Sequence, residues 1–231
     1  MMSDDAPAYI PRLYGRRQDK PLKPRQARAM GEVLPRVAMP DPASGPIDLD
    51  AIFPNRDEVW LEIGFGGGEH LAWQAEHRPD VGMIGAEPFV NGVAKLVSKI
   101  DDAGLENIRV HFGDARPLIE ALPAASIARL FVLHPDPWPK KKHHKRRMIS
   151  PWFLGEAARL IRPGGELRVA SDIRDYIRWT LMHMRARPEF EWTAARADDW
   201  RVRPDDWPET RYETKARREG RVPSYLRFRR I

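Results

Sequence analysis

The chain has 231 residues and no cysteine, which excludes disulfides and thiolate chemistry. No apolar run approaches the length needed to span a bilayer. The N-terminus, MMSDDAPAYIPR, carries acid where a signal peptide needs base, and it lacks an apolar core. We therefore expect a cytoplasmic protein with no membrane partner.

Hydrophobic residues make up 42% of the chain and charged residues 31%, which is typical of a folded protein. The length suits one sizeable α/β core with an extension, or at most two small domains. The formal net charge is +6, and positive residues concentrate at 140–147 and along 201–230. Such uneven basicity favours a polyanionic partner.

Residues 1–55 are rich in proline and arginine and show little apolar periodicity. We interpret them as a basic, partly flexible N-terminal arm with one short helix near 26–34. Residues 56–231 are expected to form the main domain, in which short apolar runs alternate with segments of helical spacing. The predicted strands cover 59–63, 81–86, 107–112, 127–133, 166–170, 190–195 and 225–229.

The predicted helices cover 68–77, 90–103, 116–122, 149–160 and 173–185. Strands that alternate with helices predict an α/β fold with a mostly parallel seven-stranded sheet covered on both faces. The last two strands should form an antiparallel edge, with a long polar loop at 196–223 between them.

The first predicted strand runs into a glycine-rich loop, LEIGFGGG at 61–68. Gly64 and Gly66 allow backbone to approach a nucleotide-like ligand, because no Cβ stands in the way. Glu69 stands where a nicotinamide-binding turn needs glycine or alanine, and the Gly-Lys-Ser/Thr of a phosphate-binding loop is absent. The loop therefore predicts no pyrophosphate site.

Three acids, Glu62, Glu87 and Asp114, stand at the ends of successive predicted strands. In a doubly wound sheet they would share the edge where ligands bind. Acids around a glycine loop suit a ligand with a cationic end and a ribose diol, and S-adenosylmethionine has both. The diol suits Glu87 and the adenine amino group suits Asp114. The alternative is that these acids only solvate the strand ends.

Residues 134–147 read HPDPWPKKKHHKRR. The prolines stiffen this segment and present Asp136 and Trp138 at low entropic cost. Trp138 suits either stacking on a base or structural cover of the loop. The adjacent His143 and His144 have no acid or cysteine partners nearby in sequence, so no metal is expected. Taken alone, the segment also fits an exposed loop followed by a solvated charge run.

Together these motifs resemble the bacterial tRNA (guanine-N7)-methyltransferases, which are class I enzymes with a Rossmann-like fold. The segments that carry the resemblance are LEIGFGGGEHL (61–71), IGAEPF (84–89), GDA (113–115), HPDPWPKKKHHKRR (134–147), IRPGGELRVASD (161–172) and ETK (213–215). The basic stretch RLYGRRQDKPLK (12–23) is also similar to the arm of this family. The PDPW segment with its basic run is the specific part, since many methyltransferases share the glycine loop.

The resemblance implies methyl transfer from S-adenosylmethionine to N7 of a guanine in the variable loop of tRNA. It implies cofactor contacts at Glu62, Glu87, Asp114 and Asp136 around Gly64 and Gly66, and substrate contacts at Lys140, Asp172, Thr214 and Lys215. The family often continues Thr-Lys-Phe-Glu, whereas Ala216 and Arg217 follow Lys215 here. For Asp172, capping of the following helix is the alternative.

Guanine N7 needs no base to activate it, because its lone pair is free at neutral pH. We therefore expect Asp136 to orient the guanine through its N1 and amino protons rather than to act as a general base. Phosphate contacts are expected along the run Lys140, Lys141, Lys142, His143, His144, Lys145, Arg146 and Arg147. The basic residues of the arm, such as Arg12, Arg16 and Arg17, are further candidates, although a disordered tail explains them equally well.

Two other functions stay open. One is a methyltransferase of the same fold that acts on protein or a small molecule, although the Asn-Pro-Pro-Tyr type of motif is absent. The other is a non-catalytic RNA-binding protein that has kept a nucleotide-shaped pocket. The sequence does not decide between a monomer and a homodimer.

Overall fold

A sheet of seven strands forms the centre of the computed structural model, which describes residues 14, 15 and 17–231. The strands are β1 (Glu58–Ile63), β2 (Val81–Ala86), β3 (Ile108–His111), β4 (Ile127–Leu133), β5 (Ile161–Ser171), β6 (Phe190–Trp192) and β7 (Ser224–Arg230). Their order is β3-β2-β1-β4-β5-β7-β6. β1 to β5 are parallel, and β7 lies antiparallel between β5 and β6. The predicted sheet is confirmed.

The α-helices of the described chain lie around this sheet. They are α1 (Pro24–Glu32), α2 (Leu34–Val37), α3 (Leu49–Ile52), α4 (Glu69–His77), α5 (Val90–Ala103), α6 (Ala115–Ala121), α7 (Pro151–Leu160), α8 (Arg174–Met184), α9 (Asp198–Arg201) and α10 (Arg211–Arg218). A 3₁₀ helix covers Lys141–Arg146 in the basic run. Among the described residues, no helix is both long and apolar enough to cross a membrane.

The expected polar loop at 196–223 is wrong, because it contains α9 and α10. α10 begins at a capping box: Thr210 accepts from the Glu213 N–H, and the Glu213 carboxylate accepts from the Thr210 N–H. The Thr-x-x-Glu signal for this box is present in the sequence. The helix was not predicted because most of its residues are charged, and few apolar residues mark a buried face.

Side chains of the strands alternate between two hydrophobic clusters, one on each face of the sheet. In β1, Leu61 and Ile63 belong to one cluster and Trp60 to the other. Each face is covered by helices, as a parallel sheet requires.

The later part of the predicted arm packs against this sheet. Ala29 and Val33 are buried in one cluster, and Ile47 and Phe53 in the other. An extended arm with one short helix therefore does not describe residues 24–53. Prolines divide this stretch into short pieces, so its apolar residues show no periodicity. Arg12 and Arg16, candidates for RNA contact, lie outside the described residues.

The strand order reverses at β1, whose neighbours are β2 on one side and β4 on the other. The loops after β1 and β4 leave the sheet at the same edge and diverge there. In open α/β sheets this crevice is where ligands bind.

Candidate active site

A cavity opens at the carboxyl ends of β1, β2 and β4. Its lining includes the predicted residues Gly64, Gly66, Glu87, Asp114 and Asp136. It also includes residues that sequence reasoning did not select: Tyr14, Arg116, His134, Met148 and Tyr212. Three of the four acids expected around the cofactor thus meet in one place.

The glycine loop forms part of the cavity wall. Gly64 and Gly66 have φ angles of 73° and 57°, in the left-handed region where a side chain is strained. A Cβ added at Gly92 of α5 would lie 2.1 Å from the Gly66 carbonyl oxygen. The loop is therefore pressed against α5, and only glycine fits at the contact.

Glu87 ties the two sides of the cavity together. Its Oε2 accepts from the Gly66 N–H at 2.8 Å, and its Oε1 accepts from the Phe89 N–H at 3.0 Å. Burial raises the pKa of this carboxyl, the two hydrogen bonds oppose the rise, and the charge of Asp136 adds to it. The carboxylate is held in one orientation before any ligand binds.

Asp114 caps the N-terminus of α6, and both of its carboxylate oxygens already have partners. Its Oδ1 accepts from the Arg116 N–H at 3.1 Å, and its Oδ2 pairs with Arg116 Nη1 at 2.7 Å. The helix cap and the ion pair fix the carboxylate at the rim of the cavity.

Glu62 does not join the other acids, contrary to expectation. Its buried carboxylate lies 2.7 Å from Nδ1 of His70, and it is absent from the cavity lining. Adjacent side chains of a strand point to opposite faces. Ile63 reaches the cavity, so Glu62 faces the other side of the sheet, where His70 packs on Phe131.

The corner after β4 holds Asp136 between two residues in unusual conformations. His134 and Trp138 have φ angles of 48° and 41°, which non-glycine residues rarely adopt and which cost energy. No residue in the described part of the chain forms a hydrogen bond or ion pair with the Asp136 carboxylate. Desolvation by the surrounding walls raises its pKa. The corner therefore presents an acceptor without a partner to the cavity.

Trp138 is packed into a cluster rather than left open. The Arg146 guanidinium lies 4.9 Å from its ring centroid and 4.2 Å from that of Tyr14. Tyr14 and His143 approach the Trp138 ring edge-on, at 6.2 and 5.9 Å. This geometry favours structural cover over base stacking for Trp138.

The basic run divides into exposed and engaged residues. Lys140, Lys141, Lys142 and Lys145 are exposed. Desolvation and the neighbouring cations lower the pKa of His143, so it adds little positive charge at neutral pH. His144 packs edge-on against Trp179. The lysines are the part of the run that is available to an anion.

Arg147 contradicts the expected phosphate contact. Its side chain is buried, its Nε donates to the Pro137 carbonyl at 2.9 Å, and it pairs with Asp175. Its guanidinium lies 4.9 Å from the Trp179 ring centroid. Arg147 thus supports the corner that carries Asp136. Its position in a run of basic residues gave no sign of this structural role.

We expect Arg147→Met to lower the free energy of unfolding by about 1–3 kcal/mol, because it leaves the Pro137 carbonyl without a donor. Urea denaturation measures this, with the exposed Lys145→Met as the matched control. Equal stability of the two variants would contradict the structural role.

Asp172 is clamped rather than free. Its Oδ2 accepts from Arg221 Nε at 2.6 Å, and its Oδ1 lies 3.5 Å from His134 Nδ1. These partners lower the pKa of Asp172 well below its usual value. The alternative of an N-cap is not seen, since the Ser171 hydroxyl accepts the Ile173 N–H instead.

Thr214 and Lys215 lie on α10, outside the cavity lining. The Thr214 hydroxyl donates to Glu209 Oε1 at 3.2 Å, and Lys215 is exposed. Tyr212, two residues earlier, is the member of this helix that reaches the cavity. Ala216 is buried beneath the helix, which accounts for a small residue there. Within the described chain no group of three or more acids, histidines or cysteines could hold a metal ion.

Sequence comparisons with known proteins agree on one family, and a structural comparison shows the fold. A family model described as a putative methyltransferase matches residues 56–224. The chain is 52% identical over 230 residues to the tRNA (guanine-N(7)-)-methyltransferase of Rhodospirillum rubrum, covering 98% of this chain and 90% of that protein. It is 54% identical over 225 residues to the enzyme of that name from Ruegeria pomeroyi, covering 95% and 94%. The crystal structure of the 16S rRNA methyltransferase KamB aligns with a TM-score of 0.58 at 18% identity, over 79% of this chain and 93% of that one, which shows a common fold.

Proposed function

The chain belongs to the tRNA (guanine-N(7)-)-methyltransferase family, and we propose that it transfers a methyl group from S-adenosylmethionine to N7 of a guanine in the variable loop of tRNA. The observation that carries the proposal within the site is the Asp136 carboxylate. It has no partner among the described residues, it stands on a strained corner, and it shares a cavity with the glycine loop. Asp136 is exposed at the mouth of the cavity, so water can reach its carboxylate, and the feature that needs an explanation is the strained backbone that holds it there. Such strain is typical of functional sites, and a substrate contact accounts for it.

The residues around the cavity fit S-adenosylmethionine. Gly64 and Gly66 expose backbone along the wall, and each oxygen of Glu87 keeps a lone pair for a ribose hydroxyl after accepting its backbone N–H. Asp114 at the rim suits the adenine amino group. When bound, the cofactor supplies a methyl group on a positively charged sulfur, and the acids of the cavity favour that charge. Glu62 is left out of this set.

Asp136 is proposed to bind the guanine. Its two oxygens accept from N1–H and the exocyclic amino group, a donor pair that adenine lacks. The strained corner and Arg147 beneath it keep the carboxylate in place. Rate acceleration then comes from alignment of N7 with the donated methyl group, a positioning effect worth several kcal/mol.

Lys140, Lys141 and Lys142 are proposed to bind tRNA phosphates beside the cavity, with Lys145 and the exposed Lys215 as further contacts. Thr214 stays a proposed substrate contact through its place on α10. A contact at Asp172 would require the substrate to compete with Arg221. From the family we further propose that the protein works in the cytoplasm, with basic residues of the stretch 12–23 as an additional RNA contact.

The triple substitution of Lys140, Lys141 and Lys142 by alanine should weaken tRNA binding and flatten its salt dependence. If each lysine neutralises one phosphate, the slope of log Kobs against log salt concentration becomes less negative by about 2–3. Filter binding across a salt series measures this for the triple variant and for Lys140→Ala alone. The exposed Lys95→Ala on α5 is the matched control for the single substitution. An unchanged slope in the triple variant would refute the phosphate contacts.

The proposed reaction is tested by borohydride-aniline scission of unmodified tRNA after incubation with the protein and S-adenosylmethionine. This chemistry cuts the strand only at 7-methylguanosine, so one cut within the variable loop is expected. An intact strand would contradict the proposal. Calorimetry with S-adenosylmethionine then separates the two rivals: a methyltransferase with another substrate binds the cofactor, and a non-catalytic RNA-binding protein does not.

A further inference from the structure

Tyr212 is an aromatic side chain of the cavity that has no role in the proposed function. It belongs to the first turn of α10 and is 41% exposed. Its Oη and Cε2 would both lie 3.0 Å from a Cβ added at Gly66. The ring therefore stands directly over the glycine loop, in the same cavity as Asp136.

A second ring faces Tyr212 across this space. The His134 ring lies nearly parallel to it, with centroids 6.2 Å apart and planes inclined by 17°. His134 is two residues before Asp136 on the strained corner. A flat base in contact with both rings needs ring planes about 7 Å apart, because each contact takes about 3.5 Å. The centroid distance of 6.2 Å is an upper limit on the present gap, so a base enters only if the two rings move apart by about 1 Å or more.

The ring of Tyr212 is held by its helix. The neighbouring Glu213 is buried, accepts from the Thr210 N–H at 3.0 Å and receives the Tyr225 hydroxyl. Arg211 lies 3.6 Å from Glu69, the first residue of α4, and 5.0 Å from the Tyr212 ring centroid. α10 is thus anchored on one side to β7 and on the other to the start of α4.

We propose that Tyr212 stacks on the target guanine, which enters between Tyr212 and His134 while Asp136 binds its Watson–Crick edge. This inference rests on the proposed function. Trp138, the other candidate for stacking, is covered by Arg146 and met edge-on by Tyr14 and His143. Tyr212 also has a guanidinium near its ring, that of Arg211, but no aromatic ring approaches it edge-on among the described residues, and 41% of the residue stays exposed. Because Tyr212 lies next to Gly66, a base stacked on it would lie beside the loop that would hold the methyl donor.

Stacking predicts a loss of rate with little loss of cofactor affinity. Tyr212→Ala should lower the single-turnover rate at saturating tRNA by about 5- to 150-fold, the range that base–aromatic stacking gives. Tyr212→Phe keeps the ring and should keep most of the rate. Trp192→Ala on β6 removes an equally exposed aromatic side chain at the far edge of the sheet, and it should react like the wild type.

Rates are measured with tritiated S-adenosylmethionine, and cofactor dissociation constants by calorimetry on the same three variants. A wild-type rate for Tyr212→Ala, or an equally slow Tyr212→Phe, would overturn the stacking role. A rise in cofactor dissociation constant that matches the loss of rate would also overturn it, because the ring would then serve the cofactor. If the wild-type protein neither binds S-adenosylmethionine nor methylates tRNA, the proposed function itself fails, which is a different result.

Discussion

Asp136→Asn should lower the single-turnover rate of tRNA methylation by about 100-fold or more, since loss of alignment at the reacting atoms costs that much. Asparagine keeps the size of the side chain but turns one acceptor into a donor, which then opposes a donor of guanine. The affinity for tRNA should stay nearly unchanged, because phosphate contacts supply most of it. Asp136→Ala should show the same pattern.

The control is Asp205→Asn, which removes an exposed carboxylate elsewhere. Single-turnover assays and tRNA binding at one fixed salt concentration give the two readouts. An equal loss of tRNA affinity and rate in Asp136→Asn would contradict an orienting role for this carboxylate.

The raised pKa of Asp136 also predicts that Asp136→Asn costs no stability at neutral pH. A carboxyl whose pKa is higher in the folded chain than in the unfolded one stabilises the fold below its unfolded pKa, about 3.9. That contribution is lost as the pH rises through the folded value. At pH 7 the asparagine variant should therefore be at least as stable as the wild type in urea denaturation. A clearly lower midpoint would point to misfolding as the cause of lost activity.

Glu87→Ala should raise the dissociation constant of S-adenosylmethionine by about 10- to 100-fold, since hydrogen bonds to charged groups contribute about 1.5–3 kcal/mol. The loss has two parts. The ribose contact disappears, and the Gly66 and Phe89 N–H groups lose the acceptor that shapes the glycine loop. The loop then has to be ordered by the ligand, which weakens binding.

Isothermal titration calorimetry measures this constant, and Glu106→Ala, an exposed acid, is the control. Glu87→Gln keeps one acceptor and should fall between the wild type and alanine. An unaltered dissociation constant in Glu87→Ala would remove both the ribose assignment and the view that this carboxylate shapes the loop.

Local sequence patterns predicted the sheet and the position of the site at its edge. Apolar runs that alternate with helical spacing predicted the sheet, and the carboxyl ends of its strands brought Glu87, Asp114 and Asp136 to one cavity. The same reasoning did not foresee that Glu62 is buried against His70 outside the cavity lining, because a strand-end position does not fix the face to which a side chain points. The two-residue alternation of β1 places Glu62 and Ile63 on opposite faces, but only the structure shows that Ile63 is the one that reaches the cavity.

Other residues carried no decisive local signal. Arg147 belongs by composition to the basic run, yet its burial depends on Trp179 and Asp175 of α8, which are distant in sequence. Tyr212 lies in a segment predicted to be a loop. Its contacts with Gly66 and His134 bring together three parts of the chain that are distant in sequence. The capping box that begins α10 was readable, although it shows only where a helix starts.

The amino-acid sequence by itself therefore determined the class of fold, the glycine loop and the chemical nature of the acidic and basic segments, because periodicity and residue type are local properties. Only the tertiary structure decided which charges stay free, which are buried in pairs, and which aromatic ring faces the cavity. Those outcomes depend on contacts between residues far apart in the chain, and a side chain's type does not reveal the neighbours that folding brings to it.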